Sequence, residues 1–153
     1  MFSGSYEPSD VVFLLKPVRV DPTPVHEKER LIQSGLRHYS EMIAPEHLPS
    51  AAYLDLFHSA LARNRERFAR DVVDLAERIL GEVTDPVLVS LERAGTPLGV
   101  LLKRTIARKG VSAPHYSVSI IRDRGIDYNA MDWIRDRHED RAVVFIDGWT
   151  GKG

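Results

Sequence analysis

The sequence predicts an α/β fold in which the second half of the chain forms a parallel sheet in β-α-β-α-β order, preceded by a helical N-terminal region. Three short runs rich in β-branched and apolar residues have the length of strands: Val87–Leu91, His115–Ile121 and Ala142–Ile146. Two segments with helical spacing separate these runs. Strands that alternate with helices of about ten to fifteen residues are typical of parallel sheets with right-handed crossovers.

The composition indicates one globular domain and excludes several classes of protein. The chain has 153 residues, of which 43% are hydrophobic, and 21 lysines and arginines balance 22 aspartates and glutamates. A chain near this charge balance has no bulk attraction for nucleic acid or an anionic membrane. There is no cysteine, so this chain can form neither a disulfide nor a thiolate zinc site, and it holds no thiol nucleophile.

No targeting segment is evident. The longest apolar runs have five residues, whereas a membrane-spanning helix needs about 20. The N-terminus has no basic flank before its first apolar patch, so it does not resemble a secretory signal. We therefore expect a cytoplasmic protein.

In the first half, the chain predicts a short strand and two helices. Val11–Leu15 is a short apolar run between prolines, typical of an arm or edge strand. Residues 26–43 carry one apolar stripe and predict a helix. Ala51–Leu80 has apolar residues at spacings of three and four, with Ser50 as a plausible N-cap and Gly81 as the C-terminal stop. Residues 1–81 thus form an arm and helices, and residues 82–153 form the ligand-binding part of the same domain.

Two helices complete the second half. The first follows Leu91, with Pro97 in its first turn and Gly110 just past its end. The second covers residues 127–138. Parallel sheets bind ligands at the loops beyond the carboxyl ends of their strands, so the loops after Leu91 and Ile146 are the candidate sites.

The loop after Leu91 has the residues of an anion site. Arg93 is a bidentate donor for phosphate, and the small residues Ala94 and Gly95 allow close approach of the backbone to a ligand. Thr96 can cap the next helix, whose first amides would point at an anion. The alternative is an ordinary turn in which Arg93 pairs with Glu92 or faces water.

The loop after Ile146 begins with an acid and continues Gly-Trp-Thr-Gly-Lys-Gly. In such a loop the carboxylate of Asp147 can bind sugar hydroxyls, while Thr150, Gly151 and Lys152 hold a phosphate. The pattern fails the P-loop template, which requires glycine where Ile146 stands and serine or threonine at the end. The mismatch therefore argues against a P-loop nucleoside triphosphatase.

A third segment can reach the same edge of the sheet. Arg122 or Arg124 can extend over bound phosphates if the chain turns at Gly125. The alternative is that each arginine pairs with Asp123 or Asp127. The six histidines show no two-ligand spacing on one helix face, which argues against a histidine metal site.

These loops carry a family resemblance. Ala142–Ile146 with the following Asp147–Gly151 resembles the 5-phosphoribosyl-1-pyrophosphate (PRPP) motif of type I phosphoribosyltransferases, and Arg93–Pro97 is similar to their pyrophosphate loop. More narrowly, the chain resembles phosphoribosyltransferase-related proteins associated with tellurite-resistance gene clusters, a group also labelled cysteine protease StiP. The narrower similarity covers most of the chain, in residues 2–6, 10–17, 90–104, 115–127 and 145–153.

The resemblance implies a phosphoribosyltransferase-like, Rossmann-like topology and an activity. The enzyme would bind PRPP with Mg²⁺ and transfer its phosphoribosyl group to a nitrogen acceptor, in a pathway linked to stress or tellurite resistance. Arg93 and Asp147 would be the catalytic residues: Arg93, with the amides of Ala94, Gly95 and Thr96, would hold pyrophosphate, and Asp147 the ribose hydroxyls. Thr150, Gly151 and Lys152 would hold the 5-phosphate, while substrate oxygens and water ligate most of the Mg²⁺.

Two alternatives remain. Phosphoribosyltransferases usually have a second acid where this chain has Gly148, which favours a non-catalytic PRPP or nucleotide sensor. A StiP-type protease label cannot describe this segment by itself, because a thiol mechanism needs a cysteine.

We expect small-molecule partners, with no nucleic acid and no membrane; a homodimer stays open, and the acceptor is not indicated. Because Gly153 falls inside the phosphate loop, we expect the N-terminal portion of a longer protein.

Overall fold

The computed structural model of the protein describes residues 1–121 and 123–149. In this part of the chain the helices and strands, with one 3-10 turn at Tyr39–Glu41, are β1 (Val12–Phe13), α1 (Val25–Gln33), α2 (Ala51–Glu82), β2 (Val87–Leu91), α3 (Gly95–Arg108), β3 (His115–Val118), β4 (Ile120–Ile121), β5 (Gly125–Ile126), α4 (Tyr128–Arg135) and β6 (Val143–Ile146). None of the helices in the described ranges is both long and apolar enough to cross a membrane.

The main sheet has four strands in the order β1-β3-β2-β6, and every neighbouring pair is parallel. The predicted α/β fold with a parallel sheet is thereby confirmed. Strand β2 lies inside the sheet, and its first four residues are buried because neighbouring strands flank them on both sides. The N-terminal run forms an edge strand beside β3, as its prolines predict.

Helices cover both faces of this sheet. Successive side chains of β2 point to opposite faces. Leu88 joins a core cluster with α2 and α3 that includes Val72, Leu102 and Ile106. The neighbours of Leu88 along the strand join a second cluster, which contains Met131 and Ile134 of α4. Because successive side chains of β2 alternate between the two faces, helices pack against each face. This explains why all of its early positions are apolar or small.

The sequence predicted one strand over His115–Ile121, but the structure divides this run into two strands. It divides at Ser119: β3 ends at Val118, and Ile120–Ile121 pair antiparallel with Gly125–Ile126. The Ser119 carbonyl accepts the Asp127 amide at 3.0 Å, which turns the chain out of the sheet. Apolar residues continue through the break, so periodicity alone does not reveal it.

The predicted helix over residues 26–43 is also wrong in its second half. Helix α1 ends at Gln33 because Gly35 adopts φ +68° and the Leu36 amide donates to the Leu31 carbonyl at 3.1 Å. This arrangement is a glycine C-terminal cap. The second predicted helix is confirmed: the Ser50 hydroxyl accepts the Tyr53 amide at 3.2 Å. It continues one residue past Gly81.

The chain divides into two compact units. One contains residues 1–15 and 65–153, and holds the sheet with its helices. The other contains residues 16–64, where the Thr23 amide donates to the Ile43 carbonyl at 2.7 Å and joins the two ends of the segment around α1.

Candidate binding site at the carboxyl edge of the sheet

Strands β2 and β6 deliver two loops to the same edge of the sheet. They are parallel neighbours, with Ser90 opposite Ile146, so the chain leaves both strands at the same height. The first loop enters helix α3 at Gly95, and the second begins at Asp147. We call residues 92–95 together with residues 147–149 the rim.

Two glycines let the two loops of the rim touch. A Cβ atom built on Gly95 would lie 2.1 Å from the Ile146 carbonyl oxygen and 3.5 Å from the Asp147 Cα atom. A Cβ atom on Gly148 would lie 2.4 Å from the Ala94 carbonyl oxygen. Both distances are shorter than any side chain tolerates, so the contact requires glycine on each side. The loops meet at one edge, as the strand order predicts.

The structure places the first predicted group of site residues around the start of α3. Arg93 is exposed, Ala94 is half-buried, and Gly95 and Thr96 are buried. The N-cap position is Ala94, with no side-chain cap, so Thr96 is not the cap that the sequence predicted. Its hydroxyl instead lies 2.8 Å from the Ser117 hydroxyl, and its amide donates to the Arg93 carbonyl at 3.2 Å.

Asp147 is exposed at the rim. Its Oδ1 atom accepts the Trp149 amide at 3.0 Å, which closes a local turn. The Trp149 side chain is 78% exposed, so it does not pack against β6. The second carboxylate oxygen of Asp147 has no hydrogen bond to the described residues that would compete with a ligand hydroxyl.

The structure describes only one of the remaining predicted site residues, Arg124. Arg124 lies in the turn between β4 and β5, where its amide donates to the Ile121 carbonyl at 3.0 Å and Gly125 adopts φ +88°. Arg122, Thr150, Gly151 and Lys152 lie outside the described residues. Within residues 1–121 and 123–149, no group of three or more His, Asp or Glu side chains is arranged to hold a metal ion.

Glu92 is a rim residue whose hydrogen bond to β3 the sequence did not indicate. Its carboxylate accepts a hydrogen bond from the Ser117 hydroxyl at 3.2 Å. Burial raises the pKa of Glu92, although Ser117 and the charge of Arg93 oppose the shift. A hydroxyl chain therefore runs from Glu92 through Ser117 to Thr96, and it fixes the loop to the first turn of α3. The small polar residue Ser117 within β3 is the signal that could have indicated it.

A second polar network lies beneath α3. The Ser90 hydroxyl is 2.7 Å from His115 Nε2, and His115 Nδ1 is 2.9 Å from the Asp10 carbonyl oxygen. Since a carbonyl only accepts, Nδ1 carries the proton. The Ser90 hydroxyl has one proton, which it shares between Nε2 of the neutral ring and the Gly95 carbonyl oxygen at 3.1 Å. Burial lowers the pKa of His115 to about 4, so the ring is neutral at pH 7.

This serine and histidine pair has the atoms of a nucleophile and base but no access to a substrate. Ser90 is 0% exposed and His115 is 1% exposed. A Cβ atom on Gly99 would lie 2.3 Å from both polar atoms of the pair, so α3 covers them closely. The network therefore joins β2, β3 and α3, and its burial leaves a substrate no access to the Ser90 hydroxyl.

An ion pair anchors the N-terminal arm to the same helix. Arg104 donates from Nε to Asp10 Oδ1 at 2.8 Å and from Nη2 to Oδ2 at 2.5 Å. These bonds lower the pKa of Asp10 despite its burial. Burial also lowers the pKa of the neighbouring Lys103, while the Asp10 charge opposes the shift. The backbone of Asp10 holds His115, and its side chain holds Arg104.

Comparison with known proteins gives one family. The family model described as "Tellurite-like stress resistance cysteine protease StiP" matches residues 4–153. A curated protein from Acinetobacter baylyi, named "Cysteine protease StiP", is 52% identical over 153 residues, which cover 99% of this chain and 40% of the relative. The chain thus spans about two-fifths of that relative. No solved structure matches.

These matches correct the expected function. The expected phosphoribosyltransferase activity is wrong, because the family model and the curated relative both carry a protease name. The transferase and PRPP assignments are therefore also wrong. The similarity to tellurite-resistance proteins and StiP is confirmed. The lack of cysteine in these 153 residues does not itself exclude the protease assignment, because the relative is much longer than this chain.

Proposed function

This chain belongs to the StiP family of tellurite-like stress resistance cysteine proteases, and we propose that it contributes a phosphate-binding rim, but no nucleophile, to such a protease. A cysteine protease attacks its substrate with a thiolate, and none of the 153 residues is a cysteine. The thiol therefore has to come from polypeptide outside these residues. The buried Ser90 hydroxyl does not replace it.

The contact between the two loops carries the binding part of the proposal. Because Gly95 and Gly148 bring the loops into contact, the exposed Arg93 and Asp147 occupy one rim at the N-terminus of α3. A guanidinium beside the positive end of a helix favours a phosphate group. An exposed carboxylate nearby accepts hydroxyl groups. A small phosphorylated molecule that also carries hydroxyls fits this combination, with Mg²⁺ bound mainly by the ligand and water.

The finer description of the fold is part of the same proposal. We infer a Rossmann-like topology of the kind found in phosphoribosyltransferases, supported by a parallel sheet with helices on both faces and a rim at the carboxyl ends of its strands. This inference concerns the fold and the place of the ligand, and it assigns no transferase chemistry to the chain.

Chemical labelling of the full-length protein tests the location of the nucleophile. We expect iodoacetamide to abolish proteolysis by alkylating a cysteine outside residues 1–153, identified by peptide mass spectrometry. A fluorophosphonate probe, which labels accessible activated serines, should leave Ser90 unmodified. Proteolysis that survives complete alkylation of the cysteines, or a fluorophosphonate adduct on Ser90, would overturn this part of the proposal.

A further inference from the structure

Strand β6 is an open edge of the sheet with an entirely apolar sequence. It consists of Val143–Ile146 and, among the described residues, it pairs only with β2. Its side chain Phe145 is 53% exposed. Strands that are apolar on both faces are typical of the interior of a parallel sheet. At an edge, soluble proteins normally shorten the strand or place charges or proline there.

The opposite edge of the same sheet shows how this protein protects an edge strand. Strand β1 has only two residues, and Phe2 forms a bridge to Phe13 on its outer side. The two rings stack with their centroids 5.3 Å apart. Strand β6 is twice as long, and the described residues give it no such cover.

Both faces next to β6 are apolar. On the face of α2 and α3, a groove of about 230 Å³ is lined mainly by aliphatic side chains, among them Val72, Leu75, Ile79 and Val144. Leu75 is 47% exposed in this groove. Phe145 lies on the other face of β6, the same face as Val143. Val143 packs against the core cluster that contains α4 residues. A segment that covers this edge therefore needs apolar residues on both of its faces.

The backbone at this edge is available for pairing. The Val87 amide donates to the Ala142 carbonyl at 2.8 Å. Since the amides of a parallel strand alternate between its two sides, the amides of Val143 and Phe145 point away from β2. Another strand beside β6 would satisfy both of these donors.

We propose that β6 pairs with a β-strand from the part of the StiP polypeptide outside these 153 residues, and that this strand covers Phe145 and the groove. The relative from Acinetobacter baylyi is long enough to contain such a strand, because this chain covers only 40% of that protein. Strand addition satisfies the outward amides and buries the apolar residues on both faces at once, which a helix in the groove does not do. The sheet therefore continues beyond β6 in the complete protein.

Hydrogen exchange on the full-length protein tests this pairing directly. We expect the amides of Val143 and Phe145 to exchange at least 100-fold more slowly than those of the exposed residues His47 and Leu48. The protection should not depend on protein concentration, and light scattering should give the same mass throughout. Fast exchange at Val143 and Phe145 would overturn the proposal. Protection that appears only with a concentration-dependent doubling of mass would also overturn it, in favour of pairing between two copies.

A pair of variants tests the side-chain cover. Phe145→Glu places a charge beside the proposed strand. The control Leu101→Glu replaces a side chain of α3 that is 38% exposed and does not line the groove. In the full-length protein we expect Phe145→Glu to lower the melting temperature by at least 5 °C more than the control. Equal melting temperatures would show that nothing covers Phe145, and would contradict the proposal independently of hydrogen exchange.

Discussion

At the scale of single residues, His115 makes stability depend on pH. Its pKa is about 4 in the fold because the ring is buried, against 6.5 when exposed, so the unfolded chain binds more protons between these values. Stability is therefore fully present above pH 6.5 and is lost as the pH falls toward 4. We expect the free energy of unfolding to drop by about 2 kcal/mol between pH 7 and pH 5 on account of this residue.

Urea unfolding of the wild type and His115→Gln at both pH values measures this effect. The variant is expected to be less stable at pH 7, and to lose the part of the pH dependence that His115 causes. An equal drop in both proteins would show that His115 is not the group responsible.

The glycines of the rim make a second prediction at this scale. Gly95→Ala forces a Cβ atom against the Ile146 carbonyl, whereas Gly81→Ala, in helix α2, meets nothing within 4 Å. We expect Gly95→Ala to destabilise the protein by about 1–3 kcal/mol. Gly81→Ala should be neutral or stabilise it by up to about 1 kcal/mol, because alanine favours a helix. Thermal unfolding of both variants measures the contrast, and a Gly95→Ala protein as stable as wild type would refute the contact between the loops.

At the scale of elements, the pair Asp10 and Arg104 attaches the N-terminal arm to α3. Replacing Arg104 by Gln leaves the Asp10 carboxylate, 7% exposed, without its cation. We expect the free energy of unfolding to fall, but by less than for a fully buried pair because the Arg104 side chain is 57% exposed. Arg108→Gln, at the exposed end of the same helix, is the control. Chemical denaturation that gives the same stability for both variants would contradict this attachment.

The elements also show what the sequence can predict. Helix α2 was predictable because its apolar spacing of three and four continues for about 30 residues. The strands were predictable because each is a short run of apolar and β-branched residues bounded by turn residues. The break at Ser119 was not, because apolar residues continue on both sides of it. The end of α1 depends on the positive φ of Gly35, which the apolar stripe beyond it concealed.

The same reasoning applies to the site. The meeting of the two loops follows from parallel strands that end at one edge, so the sequence indicated Arg93 and Asp147 together. The sequence did not indicate the bond between Thr96 and Ser117 or the one between Ser90 and His115. Each joins residues more than 20 positions apart, and such a bond depends on the register of β2 and β3.

At the scale of the whole molecule, the proposed function places phosphate binding in this chain and the nucleophile outside it. The described chain offers a rim with a cation, a carboxylate and a helix N-terminus. It encloses the Ser90 and His115 pair in the core. The transferase expected from the motifs is overturned by the family matches, which shows that a loop pattern does not by itself identify the reaction.

Calorimetry of the full-length protein with inorganic pyrophosphate and Mg²⁺ tests the rim most directly, using Arg93→Ala and the matched control Arg108→Ala at the other end of α3. The account predicts that wild type and the control bind pyrophosphate with equal affinity, and that Arg93→Ala weakens binding at least tenfold. Absence of binding in the wild type, or equal affinity in all three proteins, would contradict the account.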